Sequence, residues 1–364
     1  MKKSILVITM TVILASLSLA CWLKPHTTYS HSERRPLASK PEFSVSSVVS
    51  GEFMADFEDY TADQFPLRES FRKLKALFSR YMLGKKDNNG LYSAQGHLSK
   101  IEYPANADMT NHAAERFEYI YNTYLKDTDT KLYLSLIPDK NYFLAEPNGY
   151  LSIDYDSFIA DFKAKADYMT YIDIVPLLEL DDYYRTDSHW RQEKIGDIAA
   201  LLAKSMGTDA KAEYSENTLD HPFHGVFLGQ SALVAQPDTI KYLTNDILSQ
   251  CTVNYYDTGK AAQGDMYNMT KAYDKDPYEM FLSGSSPLLE IINPNAASGK
   301  ELIIFRDSYA SSLAPLLAPA YEKITLVDIR YVQSSFVGNF IDFDSQDVLF
   351  LYSTTILNNS MSLR

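Results

Sequence analysis

Apolar residues recur at helical spacing in several parts of the chain. From Leu67 to Tyr81 they follow one another at steps of four, three, four and three residues, which places them on one face of an α-helix. Gly84 follows as a stop signal. Comparable patterns predict further helices at 113–125, 158–166, 192–206 and 310–317.

Short, almost uninterrupted apolar runs alternate with these helices. They lie at 132–137, 171–175, 302–305, 324–327 and 348–352. A strand without polar alternation is typical of a sheet that is buried on both faces, and helices cover parallel sheets in this way. The order of the elements therefore predicts an α/β domain with a parallel sheet flanked by helices.

Near the N-terminus, Lys2 and Lys3 precede an uncharged run, Ile5–Leu23. As a helix, these 19 residues would nearly span the ~30 Å hydrocarbon core of a bilayer. Three interpretations remain open: an uncleaved anchor, a signal peptide cleaved after the small-x-small pattern Ser18-Leu19-Ala20, or lipidation at Cys21. Ser18 stands against lipidation, because a lipobox usually has Leu there. All three interpretations deliver the rest of the chain outside the cytoplasm.

Residues 24–50 separate this run from the predicted α/β domain. They contain three Pro and seven Ser without a sustained apolar period, so they bury too little surface to offset chain entropy. We therefore predict a membrane anchor or signal peptide at 1–23, a flexible tether at 24–50 and the domain at 51–364. Cys251 is the single cysteine outside the apolar run, so no intrachain disulfide is expected and the core must supply stability.

Composition narrows the possible partners and cofactors. The chain has 34 basic and 47 acidic residues, a net charge of −13, and no basic stripe, which excludes nucleic-acid binding. Its 27 Tyr and 18 Phe suit either a sugar-binding surface or an aromatic core. His221 and His224 lack neighbouring carboxylates with metal-ligand spacing, and no phosphate loop or dinucleotide fingerprint occurs. Neither a metal nor a cofactor is predicted.

Ser308 is the first residue that could carry chemistry. It follows the apolar strand at 302–305 and precedes the helix at 310–317, which would lift its hydroxyl to the carboxyl end of the sheet. The N-terminus of that helix offers backbone N–H groups and a positive dipole end to an oxyanion. The alternative is that Ser308 only caps the helix.

Asp187 and His189 form the second candidate. A carboxylate two residues before a histidine, in a turn, can bond one ring nitrogen and leave the other as a base. The alternative is that Asp187 or Ser188 caps the following helix and His189 packs beside Trp190. Taken together with Ser308, the pair supplies a nucleophile, a base and an orienting carboxylate.

Arg330 is the third candidate, just after the strand at 324–327. Adjacent parallel strands end side by side, so its guanidinium could lie near Ser308 and hold an acyl or sugar oxygen. The alternative is a structural ion pair.

Five short segments stand out along the chain: Asp63–Arg68, Thr186–Trp190, Gly225 with Pro237–Ile240, Ile304–Ala310 and Asp328–Tyr331. In this order they resemble the DHHW family, extracytoplasmic proteins of Gram-positive bacteria that are similar to alginate O-acetyltransferases of the SGNH-hydrolase-like group. The resemblance covers about residues 52–358.

The resemblance implies an SGNH-like (flavodoxin-like) fold and a triad of Ser308, His189 and Asp187, in an order permuted relative to ordinary SGNH hydrolases. Ser188 replaces the family's central His, which leaves the triad intact. Ser285 stands where the family has Asn after Gly, so any side-chain oxyanion donor there would be its hydroxyl. The backbone N–H of Tyr309, helped by Arg330, is the other expected donor to the oxyanion.

The implied activity is O-acetyl transfer to, or deacetylation of, a cell-surface or secreted polysaccharide. Similar systems work with a multi-span membrane acyltransferase that exports acetyl groups, so such a partner is expected. The alternative function is a catalytically silent glycan-binding or scaffold component of the same kind of complex.

Overall fold

The computed structural model describes residues 2–296 and 299–364, which form two compact units. The smaller unit contains the chain up to Tyr92 together with Val226–Val234, and the larger contains Ser93–Gly225 and Ala235–Arg364.

The α-helices are α1 (Lys2–Leu23), α2 (Val45–Ser50), α3 (Glu52–Asp63), α4 (Arg68–Tyr81), α5 (Ala107–Ile120), α6 (Asn141–Asn148), α7 (Tyr155–Lys165), α8 (Gly196–Ser205), α9 (Val226–Ser231), α10 (Asp246–Gln250), α11 (Met269–Ala272), α12 (Ala310–Leu317) and α13 (Thr354–Asn358). The strands are β1 (Tyr29–Ser30), β2 (Arg35–Pro36), β3 (Asp87–Asn88), β4 (Leu91–Ala94), β5 (His97–Lys100), β6 (Lys131–Ile137), β7 (Thr170–Tyr171), β8 (Ser215–Phe223), β9 (Asp238–Thr244), β10 (Thr252–Tyr255), β11 (Ala262–Gly264), β12 (Leu288–Ile292), β13 (Glu301–Arg306), β14 (Lys323–Val327) and β15 (Asp347–Ser353).

An eight-stranded sheet forms the centre of the larger unit, in the order β11-β10-β12-β14-β13-β15-β6-β7. Within this order, β14, β13, β15, β6 and β7 run parallel to one another. Beyond β14, the strands β12, β10 and β11 extend the sheet by antiparallel pairing. Because parallel strands end at the same edge, the segments after β13, β14, β15 and β6 meet there.

The two faces of the sheet are both covered, as the apolar runs predict. Along β13, Leu302 and Ile304 point into a core with α8 and α12, whereas Ile303 and Phe305 point into a second core with α5 and α7. Every residue of β15 is buried. Side chains that alternate between two apolar cores explain why these strands carry no polar alternation.

The predicted parallel sheet flanked by helices is confirmed. The runs at 132–137, 302–305, 324–327 and 348–352 coincide with β6, β13, β14 and β15, and α12 matches its predicted bounds. The run at 171–175 forms a shorter strand, because a 3-10 turn at Val175–Leu177 with Pro176 as its second residue replaces the predicted end. The antiparallel extension by β12, β10 and β11 was not predicted.

The smaller unit begins with α1, of which Lys3–Cys21 is long and apolar enough to cross a membrane. It is the single helix of this kind in the described ranges, and a cleaved signal sequence has the same length and composition.

The segment predicted as a flexible tether, 24–50, holds β1, β2 and α2. Its Arg35 pairs with Asp63 of α3 at 2.6 Å, so ionic contacts rather than apolar burial hold it. The division between the units falls after Tyr92 rather than after residue 50. The limits 1–23, 24–50 and 51–364 stay a prediction.

Candidate active site

Ser308 lies in the turn between β13, which ends at Arg306, and α12, which begins at Ala310. The N-cap position of α12 is Tyr309, and no side chain caps it, so the Ser308 hydroxyl does not have the capping role that the sequence left open. Its Oγ lies 2.7 Å from His189 Nε2 instead. Ser308 is partly exposed, whereas its neighbours Asp307 and Tyr309 are buried.

His189 and Asp187 form the other half of the site. Nδ1 of His189 lies 2.6 Å from Oδ1 of Asp187, whose side chain is completely buried. A buried carboxylate that accepts a hydrogen bond from Nδ1–H keeps the proton on that nitrogen and leaves Nε2 free to accept a proton from a hydroxyl. The structure thus brings Ser308, His189 and Asp187 together in one chain of hydrogen bonds. Neither Asp187 nor Ser188 caps α8, whose N-cap is Ile195.

The backbone before Asp187 is held by two residues distant in sequence. Oδ1 of Asp238 accepts the Arg185 N–H at 2.7 Å, and Oδ2 accepts the Thr186 N–H at 2.8 Å and the Thr186 hydroxyl at 2.5 Å. Gly225 donates its N–H to Thr186 Oγ1 at 2.9 Å. Sequence reasoning noted Asp238 and Gly225 only as parts of a resemblance. Their contacts indicate a positioning role.

Lys140 holds the same segment from the end of β6. Its fully buried ammonium donates to the carbonyl oxygens of Tyr184, at 2.7 Å, and Arg185, at 3.2 Å. Burial lowers the pKa of Lys140 to about 7, against the attraction of nearby carboxylates. Burial, together with the charge of Glu102, raises the pKa of neighbouring Asp139 to about 6. No sequence signal singled out Lys140.

An aromatic ring supports the imidazole. The ring of Tyr278 stacks on His189 with a centroid distance of 3.9 Å and an angle of 11°. The Tyr278 hydroxyl lies 2.9 Å from Ser312 Oγ, which also accepts the Trp190 indole N–H at 3.0 Å. Burial raises the pKa of the Tyr278 hydroxyl, so the ring stays neutral. Sequence reasoning missed Tyr278, because it lies in a short 3-10 helix, Pro277–Met280, that is far in sequence from both candidate segments.

The expected oxyanion donor is already engaged. The Tyr309 N–H donates to Asp307 Oδ1 at 3.0 Å, and the other oxygen of Asp307 accepts the Ser353 N–H at 2.8 Å. The Tyr309 N–H is expected to donate a hydrogen bond to an oxyanion, but this geometry does not fit that expectation, because Asp307 already accepts from it. The N–H of Ser308 itself has no acceptor in the described part of the chain, and it belongs to the same residue as the hydroxyl that contacts His189.

Ser285, the other expected donor, is exposed and lies after Leu282, Ser283 and Gly284, which have φ values of 51°, 56° and 78°. Arg306 donates to the carbonyl oxygens of Gly284, at 3.4 Å, and Ser286, at 3.3 Å, which holds this loop to the end of β13. Among the described residues, Ser285 makes no hydrogen bond to the triad.

Arg330 forms the ion pair that the sequence offered as its alternative role. Its Nε and Nη2 lie 2.8 and 2.6 Å from the two oxygens of the buried Asp328 carboxylate. Within the described ranges the guanidinium makes no hydrogen bond to Ser308. The adjacency of β13 and β14 was predicted correctly, but Asp328 holds Arg330 in the turn after β14.

No group of three or more His, Cys, Asp or Glu side chains is arranged to hold a metal ion among residues 2–296 and 299–364. The chemistry that this arrangement allows is nucleophilic attack by Ser308, with His189 as base. The fold and these side chains define a class of protein: α/β proteins with a serine at the carboxyl edge of a parallel sheet.

Two solved structures share this fold. A DHHW family protein from Eubacterium siraeum is 22% identical, with a TM-score of 0.61, over 76% of this chain and 95% of that one. PatB1 from Bacillus cereus, whose structure carries a sulfonyl adduct, is 20% identical, with a TM-score of 0.57, over 73% of this chain and 95% of that one. The resemblance to the DHHW family is thus confirmed at the level of the fold. No protein-family model and no curated protein sequence matches the chain.

Proposed function

We propose that the protein is an extracytoplasmic O-acetyltransferase or acetylesterase that acts on a cell-surface or secreted polysaccharide. The observation that carries the proposal is the hydrogen-bonded chain from Ser308 Oγ through His189 to Asp187, with distances of 2.7 and 2.6 Å. The order of the DHHW-like segments supports acetyl as the transferred group.

In the first half of the reaction, Ser308 Oγ attacks the acetyl carbonyl carbon while His189 Nε2 takes the hydroxyl proton. The Ser308 N–H and the positive end of α12 stabilise the negative charge on the carbonyl oxygen. The tetrahedral intermediate collapses, the bond to the donor oxygen breaks, and His189 returns the proton to the leaving alcohol. The acetyl group remains as an ester on Ser308.

In the second half, a sugar hydroxyl or water gives its proton to His189 and attacks the acetyl-serine carbonyl. The acceptor leaves with the acetyl group, and Ser308 regains its proton. Asp187 orients the imidazole and stabilises its charged form in both halves. A sugar acceptor makes the protein a transferase, and water makes it an esterase.

The test begins with covalent labelling of Ser308 by a sulfonyl fluoride or fluorophosphonate, read by mass spectrometry of peptides. We expect labelling of wild type and its loss in His189→Ala. Ser308→Ala, His189→Ala and Asp187→Ala should each lower turnover of a small activated acetyl ester by roughly 10³–10⁶-fold, and double variants should be little worse.

The control is Ser249→Ala, an exposed serine on α10, which should keep the wild-type rate. Circular dichroism checks the fold of every variant. An active, folded Ser308→Ala protein would contradict the proposed nucleophile, and a folded wild type that is neither labelled nor active would favour the silent glycan-binding role.

For localisation, we propose that α1 anchors the chain to the cell membrane, or directs its secretion if it is cleaved. An acetyl-transfer enzyme outside the cytoplasm needs a supply of acetyl groups from within, so a multi-span membrane acyltransferase is the proposed partner. Loss of polysaccharide acetylation on deletion of that partner, with this protein still present, is the expected result.

A further inference from the structure

The apolar face of helix α4 is exposed rather than packed against the smaller unit, to which the helix belongs. Leu67, at its N-cap, and Phe71, Leu74, Phe78 and Tyr81 are spaced to form one stripe, and their exposed fractions lie between 44 and 74%. Met82 and Leu83 extend the apolar stretch beyond the helix and are exposed as well. The sequence predicts this amphipathic helix, but its apolar side would ordinarily pack inward.

The opposite face of α4 fixes the helix to the smaller unit, and it does so with small and charged side chains. Ala76 and Ser79 are buried. Arg68 pairs with Glu33 at 2.6 Å and with Asp63 at 3.1 Å, and Arg72 donates to the Gly229 carbonyl at 2.7 Å. Because these polar contacts hold the face opposite the apolar stripe, the stripe itself is exposed.

The charge around the stripe is opposite to that of the whole chain. Residues 68–86 contain seven Lys or Arg and one acidic residue, Glu69, although the chain carries a net charge of −13. The basic residues other than Arg68 and Arg72 are Lys73, Lys75, Arg80, Lys85 and Lys86. An apolar stripe bordered by cations is typical of helices that lie in a membrane–water interface and bind anionic lipid.

We propose that α4 lies flat on a bilayer that contains anionic lipid, with the stripe from Leu67 to Tyr81 in contact with the acyl-chain boundary. The candidate membrane helix α1 belongs to the same compact unit, so both elements can engage one bilayer. The cations favour a lipid surface over a purely apolar protein surface. The proposal goes beyond acetyl transfer and does not depend on Ser308 chemistry.

The experiment uses the full chain with Cys21→Ser and Cys251→Ser, reconstituted into vesicles. An environment-sensitive fluorophore is attached to Leu74→Cys, or to Lys73→Cys as the matched control one residue away on an exposed flank. In an equal mixture of phosphatidylcholine and phosphatidylglycerol, we expect the label at 74, and not at 73, to shift to shorter wavelength and to be quenched by brominated lipid.

A charge variant separates lipid attraction from simple apolar contact. Lys75→Glu, Arg80→Glu, Lys85→Glu and Lys86→Glu together should reduce quenching at 74, and so should vesicles of phosphatidylcholine alone. Leu74→Ser with Phe78→Ser should keep the wild-type melting temperature, because both side chains are already exposed.

Equal quenching at 73 and 74, or none at either, would overturn the proposal. Energy transfer between copies labelled at 74, without quenching by brominated lipid, would show a second copy on the stripe and overturn it as well. Acetyl-ester turnover is not part of the readout, so the outcome is independent of the proposed function.

Discussion

Asp238 contacts the segment before Asp187 without reaching the reacting atoms. Its two carboxylate oxygens accept three hydrogen bonds from Arg185 and Thr186, which fixes the direction in which the chain enters the Asp187 turn. Catalysis depends on such directions, because a displacement of about 1 Å can cost about 10²-fold in rate.

We predict that Asp238→Asn lowers kcat for an acetyl ester by about 10–100-fold with little change in KM. The asparagine NH2 cannot accept a hydrogen bond, so one of the backbone N–H groups of Arg185 and Thr186 loses its acceptor. Steady-state kinetics measure this split. Asp274→Asn, at an exposed position, is the control. A loss confined to KM would mean that Asp238 binds substrate instead.

The burial of Lys140 leads us to expect that the stability of the fold depends on pH. Its folded pKa of about 7 lies below the ordinary 10.5, so between these values the unfolded chain binds a proton that the folded chain does not. The free energy of unfolding then rises with pH in this window, by up to about 1.4 kcal/mol per pH unit.

We predict that Lys140→Met removes this rise. Urea unfolding at pH 7 and pH 9 measures the difference for wild type and variant, and the exposed Lys204→Met should keep the wild-type slope. An unchanged slope in Lys140→Met would show that Lys140 is not the titrating group.

At the scale of elements, Gly225 sets the distance between two loops. A Cβ at this position would lie 2.3 Å from the carbonyl carbon and oxygen of Thr186, which leaves no room for a side chain. At Gly196, at the start of α8, no heavy atom of the described residues beyond the neighbouring chain and helix backbone lies within 4 Å of such a Cβ. The two glycines are therefore a matched pair.

We predict that Gly225→Ala lowers both the melting temperature and acetyl-ester turnover, because the Thr186–Asp187 backbone must move. Gly196→Ala should leave both unchanged or raise the melting temperature slightly. Thermal unfolding and kinetics on the two variants check this. Equal behaviour of the pair would contradict the close approach.

The sequence predicts the elements whose signals are local. β6, β13 and β15 are apolar runs that two cores bury, and helical periodicity marks α4 and α12. The antiparallel extension escapes prediction, because β10 and β11 are short and partly exposed. Their place in the sheet depends on pairing with β12 rather than on their own pattern.

The residues of the candidate site also divide into those that have a local sequence signal and those that have none. Ser308 and the Asp187–His189 pair each stand beside the end of an element, so their meeting at one edge of the sheet can be expected from sequence. Tyr278 and Lys140 reach the site from distant segments, and no local spacing reveals them. Arg330 was placed near the correct edge, but a neighbouring carboxylate binds it.

At the scale of the whole molecule, the proposed membrane anchor α1 leads to a prediction about the orientation of the chain. If α1 is a retained anchor with its N-terminus inside, protease added to intact protoplasts should digest the domain and leave a short membrane-embedded stub. Immunoblotting against each end of the chain detects the two products. A full-length protected protein would contradict this orientation.

The position of β15 in the sheet has a consequence for the order in which the chain is made. β15 is the last strand in sequence, yet it lies between β13 and β6 in the middle of the parallel strands. Until residues 347–353 emerge from a growing chain, β13 can pair with β14 and β6 with β7, but the edges of β13 and β6 that face β15 have no partner strand. A chain that lacks residues 347–353 leaves the sheet divided between β13 and β6, so we expect it to be open to proteolysis and not to hold Ser308 beside His189.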